Sequence, residues 1–530
     1  MCVGAALLGL ALRLKEFIAN RSLSQDEAML ALNVMHRSYD GLFDQLDYLQ
    51  GAPYGFLVLV KLSVQWLGEN EYAFRLVALI AGSLALLFFL LLARETVTAR
   101  AAPLAVLLFA LSDPLVNWTV YAKPYAVDVL LTVVLLWLAV RLLRRPATSA
   151  LVQFGIVGAI SIWLSFASLF ALAAATTVLV GGAIGRREWP LATRLSLASV
   201  PWLVSAAVFS VTSLGNLSDL QRVQSQCFRC PVRIAAAAAT VTSESPGWRD
   251  RLGEFRYVSG IAHFLDRGGV DLGLLLFVVA LLLCAVGCYS LAQRLPELAL
   301  LMVLPLLFML LAWGIGKYPL LGRTQLFLVA PFVLLLSEGI FYAIVRGPRR
   351  ALRGLVLISA VAIALLIAAP SIGHVWRPRR IEDLRPVLTY LAERQRRTDR
   401  LYVHYTAEYQ FRFYLECGCG GPPIEAARKT GLWPLRRGPG GLDEFVPALL
   451  SVPPRLIIPP YRGRDAAPYV VDLERMRGAR RAWFVLSSLE DERRTFLLKT
   501  LNGFGRQLAG FKLGTGKNAS AVYLYDLASP

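Results

Sequence analysis

At 530 residues the chain has length for several domains, yet 56% of it is hydrophobic and only 17% charged, with a mean hydropathy of +0.55. A soluble domain carries about a quarter charged residues, so this composition excludes an ordinary soluble protein. The net charge of +19 raises nucleic acid as a partner, but in a membrane chain basic residues belong first to cytoplasmic loops, and no nucleic acid is needed to account for them.

Apolar runs of about 17 to 25 residues, each able to cross a hydrocarbon core of roughly 30 Å, recur as far as Pro370 and then stop. They predict spans at 2–19, 72–93, 101–112, 124–140, 150–166, 168–184, 195–213, 271–291, 297–313, 325–345 and 354–370. Met1–Leu14 lacks a basic n-region and a small-x-small cleavage site, so it reads as the first span and not as a cleaved signal peptide. The stretch 20–71 holds two helical patterns, one after Ser24 and one after Pro53, that suit helices lying in the membrane interface.

Orientation follows from short basic loops. One alternating set holds Arg94 and Arg100; Arg141, Arg144 and Arg145; Arg186, Arg187 and Arg194; Arg294; and Arg346, Arg349, Arg350 and Arg353. The opposing short loops hold Lys123, Lys317 and Arg323. The first set is therefore cytoplasmic, and parity places 20–71, the 214–270 loop and the C-terminus outside the cytoplasm. The expected fold is a polytopic α-helical membrane protein of about eleven transmembrane helices (1–370), with outer loops 20–71 and 214–270. A soluble extracytoplasmic α/β domain (371–530) follows.

The α/β reading rests on alternating signals: helical periodicity over Ile381–Arg397, β-rich runs at Leu401–Tyr405 and Ala482–Ser487, a helix over 490–503, and an alternating strand over Ser520–Leu527. Gly514-Thr-Gly516-Lys517 resembles a phosphate loop only superficially, because Phe511 occupies the place of the first glycine and Asn518 that of Ser/Thr. Cys284 and Cys288 sit inside a span as small apolar residues. Cys227-Phe-Arg-Cys230 and Cys417-Gly-Cys419 lie in polar segments without the second CxxC or the histidines of a zinc site. In an oxidising compartment Cys227 and Cys230 are expected to form a disulfide.

Three groups of residues could carry chemistry. In Ser22-Leu-Ser24-Gln-Asp26-Glu27, Ser24 and Glu27 have the spacing of a capping box, a structural role. Asp26 is not needed for that box. It stands where the helix dipole stabilises the ionised carboxylate, as a general base requires. In Tyr121-Ala-Lys123-Pro124-Tyr125-Ala-Val-Asp128, Pro124 starts a helix, Lys123 could snorkel and the tyrosines could be interface-belt residues. Asp128, one turn into a span, needs a partner or a task. In Lys317-Tyr318-Pro319-Leu-Leu-Gly322-Arg323, two outer cations run against the positive-inside trend. They suit either lipid head-groups or a bound phosphate, and Arg75 is a further outer cation. The four histidines have no metal-ligand spacing, and Glu338 reads as an internal cap or ion-pair partner.

The segments "NRSLSQDEAMLALNV", "DYLQGAPYGFLVLVKLSVQWLGENEYAFRLVALIAG", "YAKPYAVDVLL" and "KYPLLGRTQLFLVAPFVLLL" resemble bacterial glycosyltransferase family 39-like proteins of the GT-C superfamily, relatives of protein O-mannosyltransferases and lipid A aminoarabinose transferases. "DLRPVLTYLAERQRRTDRLYVHYTAEYQFRFY" is similar to the outer domain of the same subgroup. The resemblance implies sugar transfer from a polyprenyl-phosphate-linked donor to a lipid, glycan or protein acceptor at the extracytoplasmic face of the bacterial inner membrane. It puts the catalytic carboxylate on Asp26, with Glu27 adjacent, and the donor-phosphate cations on Lys123 and Arg323, to which Lys317 and Arg75 are added. Tyr54, Tyr121, Tyr125, Asp128 and Tyr318 are the expected pocket residues. No cofactor is assigned, and a divalent cation is left open. The chain departs from the family in carrying Lys123 where many relatives have arginine, and Gly55 where many have proline or leucine. The competing reading is a transporter or lipid flippase. That class places ionisable residues near the midplane of two related halves, whereas here they cluster toward the outer ends of the spans.

Overall fold

The computed structural model describes residues 1–212, 270–315, 317–319, 322–347, 350–376, 379–430, 433, 436–438, 441–446, 456–459 and 467–528. Cys227, Cys230 and nearly all of the 214–270 loop lie outside the described residues. Two compact units emerge, and neither is continuous in sequence. The first comprises Met1–Ile18, Gly51–Leu59 and Arg75–Arg377, the second Ala19–Gln50, Val60–Phe74 and Pro378–Pro530.

All eleven expected spans are helical. Among the described residues, eight helices are long and apolar enough to cross a membrane: Glu71–Thr96, Tyr125–Arg144, Ser168–Gly185, Trp189–Thr212, Leu275–Arg294, Pro296–Gly314, Gly322–Arg346 and Arg350–Trp376. The other three expected spans are shorter helices, Cys2–Ile18, Ala102–Leu111 and Thr148–Leu164. The two patterns read in 20–71 are the helices Gln25–His36 and Tyr54–Leu67.

Between hydrocarbon-embedded helices there is little hydrophobic drive to associate, so close backbone approach and internal polar pairing carry the packing. Helices Val270–Arg294 and Val329–Arg346 meet at Gly287 and Gly339. A Cβ on Gly287 would lie 1.9 Å from the Leu335 carbonyl oxygen, and one on Gly339 1.8 Å from that of Leu283. Only hydrogen fits at either position. Next in sequence to Gly339, the buried Glu338 accepts from Ser290 Oγ (2.8 Å) and the Thr98 backbone N–H (2.8 Å), and pairs with Arg294 Nη2 at 2.8 Å. It is thus the internal cap and ion-pair partner expected of it. Arg13, within the first helix, is buried, and its Nη1 donates to the Gly9 and Ala110 carbonyls at 2.9 and 3.1 Å. Phe89 stacks on Phe109 at 3.9 Å between ring centres.

In the second unit a five-stranded mixed sheet runs in the order β4-β1-β5-β7-β6, with β1 Arg400–Val403, β4 Leu456–Ile457, β5 Ala482–Ser487, β6 Arg506–Leu513 and β7 Ser520–Asp526. β1 is parallel to β4 and β5, and β7 is antiparallel to β5 and β6. A separate hairpin pairs β2 Arg436–Gly438 with β3 Gly441–Val446. Every residue of the central β5 is buried, which is why it reads as an unbroken apolar run, whereas β6 is largely exposed. The Gly514–Lys517 motif lies between β6 and β7, with φ of +79° at Gly514 and +57° at Gly516. The glycines serve the backbone of that connection. Sequence periodicity missed β6 and the short helices Glu408–Glu416 and Pro422–Lys429. Cys417 and Cys419 form a disulfide between those two helices.

The Gly287–Gly339 crossing gives a direct prediction. Gly339→Ala forces the two helices apart and costs about 1–3 kcal/mol, as overpacking does. Gly354→Ala, where a Cβ meets nothing within 4 Å, leaves stability unchanged. Thermal unfolding of the purified full-length variants in one detergent separates the two.

Candidate active site

Chemistry-bearing residues gather in each unit, and each unit builds its own cluster. In the second, Ser24 caps the helix Gln25–His36 and completes the capping box. Its N–H and Oγ donate to Glu27 Oε2 at 2.9 and 3.0 Å, and Glu27 N–H donates to Ser24 Oγ at 3.4 Å. Glu27 is fully buried in that arrangement. Asp26, half-buried in the same first turn, is outside the box, so the two adjacent carboxylates have different settings.

The segment leading into this helix is fastened by residues more than 350 positions later. Arg385 Nη2 donates to the Asn20 carbonyl (2.6 Å), its backbone N–H donates to Ser22 Oγ (2.9 Å), and Ser22 in turn donates to Asp383. Leu23 N–H donates to Tyr414 Oη (3.1 Å), while Gln410 Nε2 donates to the carbonyls of Leu23 (2.7 Å) and Glu382 (2.8 Å). Arg385 Nη1 also pairs with Glu71 at 2.6 Å, and Tyr414 Oη donates to the same carboxylate oxygen at 3.1 Å.

One member of this cluster had no sequence signal. Glu382 sits at φ +51°, a left-handed conformation that costs a non-glycine residue about 1 kcal/mol or more. Its carboxylate accepts from the Gln25 backbone N–H (2.8 Å), at the start of the Asp26 helix, and from Ser488 Oγ (2.6 Å). Ser488 is itself left-handed, at φ +52°. Burial pushes the Glu382 carboxyl up. The hydrogen bonds from Ser488 and Gln25 oppose that shift, and the nearby Asp26 and Glu27 add to it. Only its position next to Asp383-Leu-Arg385, inside the quoted outer-domain segment, could have drawn attention to it.

In the first unit, Pro124 stands just before the helix Tyr125–Arg144, as expected of a helix start. Lys123 is buried, not extended into solvent, and Tyr121 is buried beside it. Trp118 packs on Tyr121 (4.5 Å) and edge-on to Tyr125 (4.8 Å), and the Arg323 guanidinium lies over the Tyr125 ring at 5.8 Å. Tyr318 Oη donates to the Thr324 carbonyl at 2.9 Å, and burial, then Asp128 and Tyr125, holds its phenol protonated. Asp128 has the partner that its depth demanded, since Ser165 Oγ donates to it at 2.6 Å. Ser165 Oγ also accepts from the Ser168 N–H (3.1 Å), so the carboxylate joins two helices. Tyr125, Asp128, Tyr318 and Arg323 are thus brought together. Arg75 is buried in Glu71–Thr96, Lys317 is exposed, and Tyr54 opens the helix Tyr54–Leu67. The departure at Gly55 has a steric reason, because a Cβ there would lie 2.9 Å from the Trp163 carbonyl oxygen.

With this geometry in view, residues 52–214 match the family model described as dolichyl-phosphate-mannose-protein mannosyltransferase. Over that stretch, less than a third of the chain, the sequence is similar to this family. The matched segment includes Tyr54, Arg75, Tyr121, Lys123, Tyr125 and Asp128. No curated protein matches the sequence significantly. Among solved structures, ArnT from Cupriavidus metallidurans in the apo state is 14% identical with a TM-score of 0.47, over 99% of this chain and 98% of that one. The same protein bound to undecaprenyl phosphate gives 14% and 0.46 over the same shares. AglB of Archaeoglobus fulgidus, in complex with an inhibitory peptide and a dolichol-phosphate, gives 12% and 0.44, over 100% of this chain and 74% of that one. Among the described residues no group of three or more His, Cys, Asp or Glu side chains is placed to hold a metal ion.

Two measurements probe the second unit. Ser24→Ala removes the cap and costs about 1 kcal/mol, whereas Glu27→Gln keeps an acceptor for the Ser24 N–H and is nearly neutral in denaturant unfolding. Burial pushes the His404 imidazole down to about 3 from its usual 6.5. The unfolded chain therefore takes up a proton below about pH 6.5 that the folded one refuses. Stability falls as pH drops from there toward 3, and His404→Asn flattens that part of an acid-unfolding curve.

Proposed function

We propose that the chain transfers a hexose or pentose from a polyprenyl-phosphate-linked donor to an acceptor hydroxyl on the extracytoplasmic face of the bacterial inner membrane. Asp26 is the general base, and Lys123 and Arg323 neutralise the donor phosphate. Arg75 and Lys317 are the further cations of this assignment, and Tyr54, Tyr121, Tyr125, Asp128 and Tyr318 line the donor pocket. The carrying observation is the division of labour between adjacent carboxylates. Glu27 is consumed by the capping box, while Asp26 stands beside it, outside the box and at a helix N-terminus that favours its charge. The family's own description, a mannosyltransferase named for a dolichyl-phosphate donor, supports the donor class. The Cys417–Cys419 disulfide supports an oxidising compartment for the C-terminal region.

The chemistry is a single displacement. The Asp26 carboxylate takes the acceptor O–H proton as that oxygen attacks the anomeric carbon, and the bond from that carbon to the phosphate oxygen breaks. The lipid phosphate departs with the bonding pair, its charge met by Lys123 and Arg323. One inversion results. No general acid is needed, because phosphate leaves as a stable anion. Arg323 over the Tyr125 face holds its guanidinium by cation–π attraction, which orients a planar donor for phosphate oxygens.

Asp26→Asn keeps the shape and removes the base, so transfer by the reconstituted full-length protein, supplied with extracted polyprenyl-phosphate sugars, falls by about 10² to 10⁴ while donor binding persists. Arg323→Ala and Lys123→Ala weaken donor binding as well as turnover. Near-normal transfer by Asp26→Asn overturns the base assignment. The orientation is checked separately. A reporter fused after Arg350 reads cytoplasmic and one after Tyr405 extracytoplasmic, and finding both on one side refutes the topology.

A further inference from the structure

Helix Val329–Arg346 is preceded by a 3₁₀ segment, Gly322–Leu328, in which Gln325 is fully buried. Neither its Nε2 nor its Oε1 has a hydrogen-bond partner among the described residues. The side chain lines a cavity of about 150 Å³ whose walls include Phe277, Leu281, Cys284, Met302 and Phe332. Among the residues lining it, Gln325 carries the one amide, hydroxyl or charged side chain, and the Cys284 thiol is already directed at the Phe332 carbonyl (3.7 Å). Leu281 is 44% exposed, so the cavity borders the outer surface of the bundle, where the neighbouring Leu282 and Leu275 are also exposed.

A carboxamide left unpaired among apolar walls is costly. Water is a poor remedy, because an ordered water needs two to four polar partners and the lining side chains supply one. The missing partner must arrive on a molecule that is otherwise hydrocarbon and that enters from the bilayer. We propose that this cavity binds an acyl chain of a glycerophospholipid, with Gln325 Nε2 donating to the ester carbonyl.

A volume of about 150 Å³ suits a short run of chain carbons and excludes a whole head-group. The depth also fits. Gln325 lies near the start of the span Gly322–Arg346, toward the end of the hydrocarbon layer, where ester carbonyls sit. A polyprenyl chain fits less well, since it has no acceptor along its length and its phosphate would meet no cation in this lining. Arg323 does not supply one. Two steps of a 3₁₀ segment, at three residues per turn, turn it away from Gln325, and it lies over Tyr125. The lipid would act as a wedge that fixes the segment carrying Arg323, without itself taking part in sugar transfer.

The test uses full-length protein in vesicles of phosphatidylethanolamine and phosphatidylglycerol doped with a diacyl phospholipid bearing a diazirine close to the ester. Adducts are mapped by mass spectrometry. Labelling of the peptide containing Phe277–Cys284 is expected, falling several-fold in Cys284→Phe, which fills the cavity, and in Gln325→Leu, which removes the donor. A dialkyl ether analogue, lacking the carbonyl, should label that peptide several-fold less. Equal labelling by the ether lipid, or labelling unchanged by Gln325→Leu, overturns the proposal and leaves the amide a stranded polar group. Displacement of the label by polyprenyl phosphate, but not by added phospholipid, assigns the cavity to the donor carrier and also overturns it. Should Cys284→Phe fail to fold, the ether arm and Gln325→Leu still decide the matter.

Discussion

The ion pair between Arg385 and Glu71 is the interaction on which the second unit's candidate chemistry depends. Glu71 is almost wholly buried, and a buried carboxylate is tolerated only when paired and hydrogen-bonded. It gets both, from the Arg385 guanidinium and the Tyr414 hydroxyl. The same guanidinium holds the Asn20 carbonyl, and the same tyrosine accepts from Leu23 N–H. The two groups that neutralise one carboxylate thereby fix the backbone leading to Ser24, and Ser24 sets where the Asp26 helix begins. Losing Arg385 leaves the buried Glu71 charge uncompensated, at a cost of about 3–5 kcal/mol, and losing either partner frees the approach to the cap.

The first unit solves a different problem. Its helices cannot rely on water to drive them together, so they pack where side chains are smallest and spend their few polar groups on one another. Gly287 and Gly339 make the closest crossing, while Glu338 gathers Ser290, Arg294 and the end of another helix around one carboxylate. Asp128 follows the same rule at its own level, tied to Ser165 and through it to the next helix. Asp128 is already employed in holding helices together, which is why on its own it is weak evidence of catalysis. The cation over an aromatic face, Arg323 on Tyr125, is more telling.

Hydropathy made the membrane spans legible because it acts locally: all eleven apolar runs are helices, and the start at Tyr125 follows from Pro124, although that helix runs on to Arg144, past the expected end at 140. The capping box was legible for the same reason, being decided within four residues. β5 and β7 announced themselves through β-rich composition, whereas β6, exposed and without a clear alternation, did not. Glu382 was illegible for a deeper reason. Its importance lies in a left-handed backbone and in bonds to Gln25 and Ser488, which are 357 and 106 positions away in sequence. Local pattern has no access to such contacts. The buried, unpartnered state of Gln325 was hidden likewise, since a glutamine entering a span looks like any polar flank until its surroundings are known.

The discontinuity of the second unit has a consequence in time. Leu23 and its partner Tyr414 are separated by 391 positions. At a synthesis rate of about 5–20 residues per second, the segment bearing Asp26 leaves the ribosome roughly 20 to 80 seconds before the residues that fasten it exist. Until then its cap can form, because that is local, but the anchoring by Arg385, Gln410 and Tyr414 cannot. The carboxylate is therefore held in its final setting only in a chain completed well beyond its last span. A prematurely terminated chain could insert all its helices and still lack that anchoring, so completion of synthesis acts as a built-in check on when the site is assembled.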